Sequence, residues 1–353
     1  MSRRTAALSL ASIALVALVC VALLVPMPYV VMSPGLTENT LGEYEGEPVV
    51  SITGERTYPT SGHLDLTTVS VTSPEYEPRL PDILAAWWSP NDIVLPRDLV
   101  YPPEQTVGEV KQENRDQMDG SQAAAIMVGL AQAGYDATDV TVSEIVEGAP
   151  ADDVLEKGDV IESVNGAQIA VTDDLIVAIS DLEPGTEVSM GIVRGGEPRT
   201  VDLRTEPSPE DESASRVGIF LADVFDPPFK VDIELGQSIG GPSAGLMFSL
   251  AIYDLLTPGK LTGGRYVAGT GTIDASGVVG PIGGIEQKIV GAHANGATVF
   301  LVPAADCPDA AESDLADDID LIEVTTIDDA VTALEGLASG DGADIPRCGS
   351  GAP

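Results

Sequence analysis

The sequence predicts an α+β protein: an N-terminal transmembrane helix, a β-rich segment, a small module of strands with one helix, and a C-terminal α/β domain. Three observations lead there. Residues 6–25 form an uncharged run broken only by Ser9 and Ser12. Beyond it, runs of alternating apolar and polar residues are punctuated by many of the 26 Pro and 37 Gly, as strands and turns are. Near the end, two glycine-rich turns, 240–245 and 280–284, each open an apolar, helix-like run.

At 1.5 Å per residue, residues 6–25 match the ~30 Å hydrocarbon core of a bilayer. Arg3 and Arg4 precede the run, and the next basic residue is Arg56. The positive-inside rule then keeps the N-terminus in the cytoplasm and sends the rest outside. The expectation is residues 1–28 as an uncleaved signal anchor, giving a single-pass cell-membrane protein with its N-terminus cytoplasmic and its C-terminal domain extracytoplasmic. A cleaved signal peptide is the rival reading, but no A-x-A site follows the run. Cys20 lies within it. Cys307 and Cys348 lie beyond, either as two free thiols or as a disulfide.

Residues 29–121 read as β-rich and irregular, with β-branched or alternating runs at 49–52 and 64–71. Trp87 and Trp88 read as packing or a contact surface, and His63 as an ordinary turn histidine. Residues 121–134 look helical, with Ser121 as cap and Gly134 as stop. Residues 158–166, GDVIESVNG, alternate and end in an Asn-Gly turn. An amphipathic helix over 173–182 and strands over 186–193 and 200–203 follow. Together with VSEIVEGAP at 142–150, this pattern makes residues 122–205 resemble a PDZ domain. The resemblance implies a groove that takes a peptide tail as an added strand, although no G-L-G-F loop is evident. Residues 206–216 have the composition of a linker.

Residues 217–338 form the last domain, and 339–353 a Gly-rich, flexible tail. An alternating run over 230–235 leads into GQSIGGPSAG, so Ser243 stands at a glycine-rich turn that opens a helix. Glycines there let a substrate backbone approach, and free N–H groups of a first helical turn can stabilise an oxyanion. Taken alone, Ser243 is as readily an N-cap. Lys288 follows the second turn, and Gly284, Ile285, Gly291 and Ala292 share its helix face. A lysine on so apolar a face loses affinity for its proton and becomes a usable base; its plainer role is to snorkel to water.

Taken together, GPSAG at 241–245, Thr270-Gly271-Thr272-Ile273, PIGGIEQK at 281–288 and VFLVP at 299–303 resemble the proteolytic domain of Lon proteases. With the apolar run and the PDZ-like module, they are similar to the membrane-anchored, PDZ-containing Lon-like proteins of bacteria. The resemblance implies Ser243 as nucleophile, Lys288 as general base and Thr270 as the threonine bonded to that lysine. Gly241 and Ala244 would supply oxyanion or backbone contacts. It also implies a homo-oligomeric ring, a hexamer. Gly240 and Thr272 stand where ATP-driven Lon proteins carry Asp and Glu.

The expected function is therefore an ATP-independent serine endopeptidase acting on unfolded or tail-tagged extracytoplasmic proteins. The alternative is a non-catalytic PDZ adaptor on a degenerate protease scaffold. No G-x-x-x-x-G-K-[ST] motif is present, and neither CxxC nor HExxH occurs among three Cys and two His. No cofactor and no metal are expected. A formal charge of −39 repels phosphate backbones, so the expected partners are protein or peptide substrates, not nucleic acid.

Overall fold

The computed structural model describes residues 3–102, 105–135, 138–169, 171–209, 211, 213–227, 229–236 and 239–349. Gln237 and Ser238 of the glycine-rich run, Glu210 and Glu212 of the linker, and the ends of the anchor and tail lie outside them. In chain order the main elements begin with α1 (Arg3–Leu24), β1 (Tyr29–Asn39), β2 (His63–Val71), β3 (Ile93–Pro96) and α2 (Val107–Gln132). Then come β4 (Thr138–Ile145), β5 (Val160–Val164), α3 (Thr172–Ser180), β6 (Glu187–Arg194), β7 (Glu197–Arg204) and β8 (Ile219–Phe225). The last set is α4 (Gly245–Leu256), β9 (Tyr266–Gly269), α5 (Ile285–Ala294), β10 (Val299–Pro303), α6 (Cys307–Ala311), β11 (Asp320–Val324) and α7 (Ile327–Ser339).

Two expectations are corrected at the N-terminus. Among the described residues no helix is long and apolar enough to cross a membrane. The transmembrane helix and the single-pass membrane localisation are thereby overturned. The fold that remains is mixed α/β.

The chain divides into two compact units, residues 1–133 with 231–353, and residues 134–230. The first is built on a six-stranded sheet of order β11-β10-β9-β2-β1-β3. β2, β9, β10 and β11 run parallel, while β1 pairs antiparallel with β2 and β3. The strands within residues 29–121 therefore complete the sheet of the C-terminal segment. β10 is buried along its whole length, and its run Val-Phe-Leu-Val-Pro fits a strand covered on both faces. α4 is apolar nearly all round and has ten buried residues, including Phe248, as expected of a core helix. α2 packs along it and starts at a capping box between Thr106 and Glu109. The start expected at Ser121 is thus mid-helix. Trp87 and Trp88 are 78% and 84% exposed, so they do not pack in the core.

The second unit is built on a sheet of order β7-β6-β5-β4-β8. Its core gathers Val140, Val142, Ile161, Leu175, Ile179, Met190 and Ile192. Buried Asp159 is held by Arg194 through a two-point contact, Nε to Oδ1 at 2.7 Å and Nη2 to Oδ2 at 2.6 Å. β8 follows the linker-like stretch, pairs antiparallel with β4, and stands at the sheet edge.

Candidate active site

The site lies at the carboxyl end of the parallel strands, where open α/β sheets place ligands. Thr270 directly follows β9, Ser243 lies in the turn before α4, and Lys288 is in the first turns of α5. Ser243 and Lys288 line one cavity of about 450 Å³, with residues 66–70 of β2 along its side.

Lys288 is 2% exposed. Its Nζ donates to the Thr270 hydroxyl at 2.9 Å, and that hydroxyl donates to the Ser243 carbonyl at 3.0 Å. The Gly271 N–H also donates to the Ser243 carbonyl, at 2.9 Å. Thr270 has one proton and spends it on Ser243, so toward Lys288 it is an acceptor only. This fixes the amine beside the Ser243 backbone. Burial lowers the Lys288 pKa from 10.5 to about 8, while the charge of Asp306 acts in the opposite direction. A buried ammonium has lost its hydration, so the neutral amine is favoured.

Backbone geometry seats the lysine helix. Gly284 caps α5 at φ 70°, and a Cβ there would stand 2.7 Å from Val69 Cγ1 and 2.9 Å from Met32 Sδ. Only glycine allows both that left-handed turn and that close approach to β1 and β2.

The other predicted residues are placed as follows. Ala244 is buried and is the N-cap of α4. The Gly241 N–H donates to the Asn114 carbonyl at 3.2 Å, so in this conformation it is engaged by α2. His63 lies at the far end of β2, stacked on Tyr266 with ring centroids 4.0 Å apart. His293 is exposed in the last turn of α5.

Sequence reasoning missed α2 as a support. Ser121 Oγ donates to the Pro242 carbonyl at 3.0 Å, so α2 holds residues 241 and 242 from two carbonyl and hydroxyl contacts. A serine within a helix carries no sequence signal of such a distant partner. Cys307 and Cys348 form a disulfide with Cα atoms 5.0 Å apart. Among the described residues no group of His, Cys, Asp and Glu could hold a metal ion.

The second unit holds a separate groove between α3 and the edge strand β8. Leu175, Ile176 and Ile179 line one side, and Ile219, Phe220 and Leu221 the other. Ile176 and Phe220 are 53% and 58% exposed. Gly218, at φ 80°, turns the chain into β8.

Two stretches of the chain match known domain families. Residues 236–335 match the C-terminal proteolytic domain of Lon protease, and residues 110–205 match the PDZ domain. The Lon protease of Methylocella silvestris is 37% identical over 118 residues, 31% of this chain and 14% of that protein. The Lon protease of Campylobacter concisus is 37% identical over 98 residues, 26% of this chain and 11% of that protein. The chain thus spans 14% or less of the length of these curated relatives. The PDZ domain of an SdrC-like protein from Listeria monocytogenes aligns at 25% identity and a TM-score of 0.23, covering 25% of this chain and 88% of that one. Residues 110–205 and 236–335 are thus similar to a PDZ domain and to the Lon C-terminal proteolytic domain, and the latter similarity supports a serine-type peptidase.

Proposed function

We propose that the chain is an ATP-independent serine endopeptidase in which Ser243 is the nucleophile and Lys288 the general base. The observation that carries this is the relay from Lys288 Nζ through the Thr270 hydroxyl to the Ser243 carbonyl, inside a cavity both residues line. The neutral amine keeps a lone pair while donating to Thr270. That lone pair takes the proton from Ser243 Oγ as oxygen attacks a peptide carbonyl. The resulting ammonium then gives the proton to the leaving amine. Water, activated by the same amine, hydrolyses the ester. The positive end of α4, starting at Gly245, faces the developing oxyanion.

A fluorophosphonate probe should label the wild-type protein and leave Ser243→Ala unlabelled. Equal labelling of both would remove Ser243 from the mechanism. Turnover of an unfolded protein should be unchanged by ATP and magnesium, because the sequence holds no P-loop motif. A severalfold rise would contradict ATP independence. By resemblance the protein assembles as a homo-oligomeric ring; a light-scattering mass near the 36.5 kDa of one chain would argue against it.

The groove of the second unit recruits substrate tails. β8 offers an unpaired strand edge, and apolar side chains of α3 and β8 flank it, which suits a peptide added as a further strand. Phe220→Glu places a charge at an exposed position, so the fold should tolerate it. It should raise KM for a protein with a free C-terminal tail by roughly tenfold and leave a short peptide unaffected. Equal loss on both substrates would indicate a structural role for the unit.

A further inference from the structure

One buried acid near the site has no part in the mechanism above. Asp306 is 8% exposed, sits between β10 and α6, and accepts the Ile282 N–H on Oδ2 at 3.0 Å. Ile282 and Gly283 line the catalytic cavity, and residues 281–284 lead directly into α5. The neighbouring residue, Cys307, is buried and disulfide-bonded to Cys348. The Cys348 N–H is tied to Leu321 of β11 at 3.0 Å. Asp306 therefore stands on a segment held covalently and by the sheet.

α5 packs on β1, β2 and α6. Those elements carry Tyr29 and Glu38, His63 and Asp65, and Asp309; Glu286 and His293 lie on α5 itself. Of these groups, Asp306 bonds to the turn that leads into α5, and its charge opposes the burial that lowers the Lys288 pKa. The reverse also holds: burial raises the Asp306 pKa, and its Ile282 bond and Lys288 oppose that rise.

We propose that Asp306 is a positioning residue for the catalytic lysine: its buried carboxylate accepts the Ile282 N–H and so fixes the 281–284 turn that leads into the helix carrying Lys288. The inference rests on the Ser243–Lys288 reading for its catalytic consequence, but not for its physical content. Two effects are separable. An Asn at 306 keeps an oxygen to accept the Ile282 N–H and loses the charge. An Ala loses both.

The direct test is titration of the lysine side chains by NMR in the full chain labelled with carbon-13 lysine. Only five lysines are present, and the Lys288 signal is the one missing from Lys288→Met. In Asp306→Asn the Lys288 midpoint should fall by about half a pH unit or more, giving roughly threefold more neutral amine at pH 7. The acid limb of peptidase activity should move down with it, while plateau kcat stays within about threefold. Asp306→Ala should show the same shift with plateau kcat lowered roughly tenfold and KM little changed. A purely structural carboxylate would leave both the Lys288 midpoint and the plateau kcat of Asp306→Ala at the wild-type values, and that result would overturn the proposal. If instead the midpoint moves but Ser243→Ala keeps its activity, the serine–lysine reading fails while the Asp306 assignment stands.

Discussion

Ser243→Ala and Lys288→Ala should each lower kcat by roughly 10⁴-fold or more, with the double variant little worse than either. In the proposed mechanism the two side chains act as one unit: without the base the hydroxyl stays protonated, and without the hydroxyl the base has nothing to deprotonate. Lys288→Arg should be equally inactive, because a guanidinium does not release its proton in this range. Wild-type kcat/KM should rise with pH through about 8, the value to which burial lowers Lys288. The sign follows from the active form being the deprotonated one. A well-folded Lys288→Arg protein with near wild-type turnover would discard the mechanism.

Lys288→Met should leave the protein inactive and make it more stable. Below pH 8 the lysine is protonated in both folded and unfolded chains, and the fold bears the full cost of a buried ammonium. Between about 8 and 10.5 the folded chain has released the proton while the unfolded chain still holds it. The unfolded state then binds more protons, so wild-type stability rises with pH across that window. The whole displacement corresponds to roughly 3 kcal/mol at about 1.4 kcal/mol per pH unit. Losing the hydrogen bond to Thr270 returns about 1 kcal/mol of this. Urea unfolding at pH 7 should therefore show Lys288→Met ahead by roughly 2 kcal/mol, and the order should reverse as pH rises through the window, leaving wild type ahead by about 1 kcal/mol at pH 10.5. A variant less stable than wild type at pH 7 would mean that the amine reaches water.

The burial of Lys288 is legible in the sequence because Gly284, Ile285, Gly291 and Ala292 leave its helix face without polar groups. Ser243 is legible as a turn residue from the glycines around it. What surrounds them is not. β1 and β2 are expected in a separate β-rich region, yet Gly269 of β9 pairs with Leu66 of β2. Strand pattern reports which face is buried and is silent on which partner lies alongside. α2 gives little periodic signal, since its first half carries charges on every side, and so its hold on Gly241 and Pro242 is invisible. β8 is missed for a compositional reason. The acidic, Ser-Pro-rich stretch before it reads as the end of a domain, although the sheet resumes at Ile219.

The second unit is an insertion, and this affects the order in which the chain can fold. β2 waits for β9: Thr67 bonds to the Gly269 carbonyl across 202 residues. Until then the emerging sheet exposes the edge of β2, the kind of edge that other chains can capture. The insertion is local by comparison, and its two ends meet where the rings of Tyr135 and Phe229 pack edge to face, with centroids 5.0 Å apart. Once folded, it removes about half of the slack between β2 and β9. By loop-closure entropy that halving favours pairing by only about 0.6 kcal/mol. The greater consequence is temporal: all of the second unit has left the ribosome before β9 is made, so a nascent chain can complete the inserted sheet while the sheet of the first unit is still open.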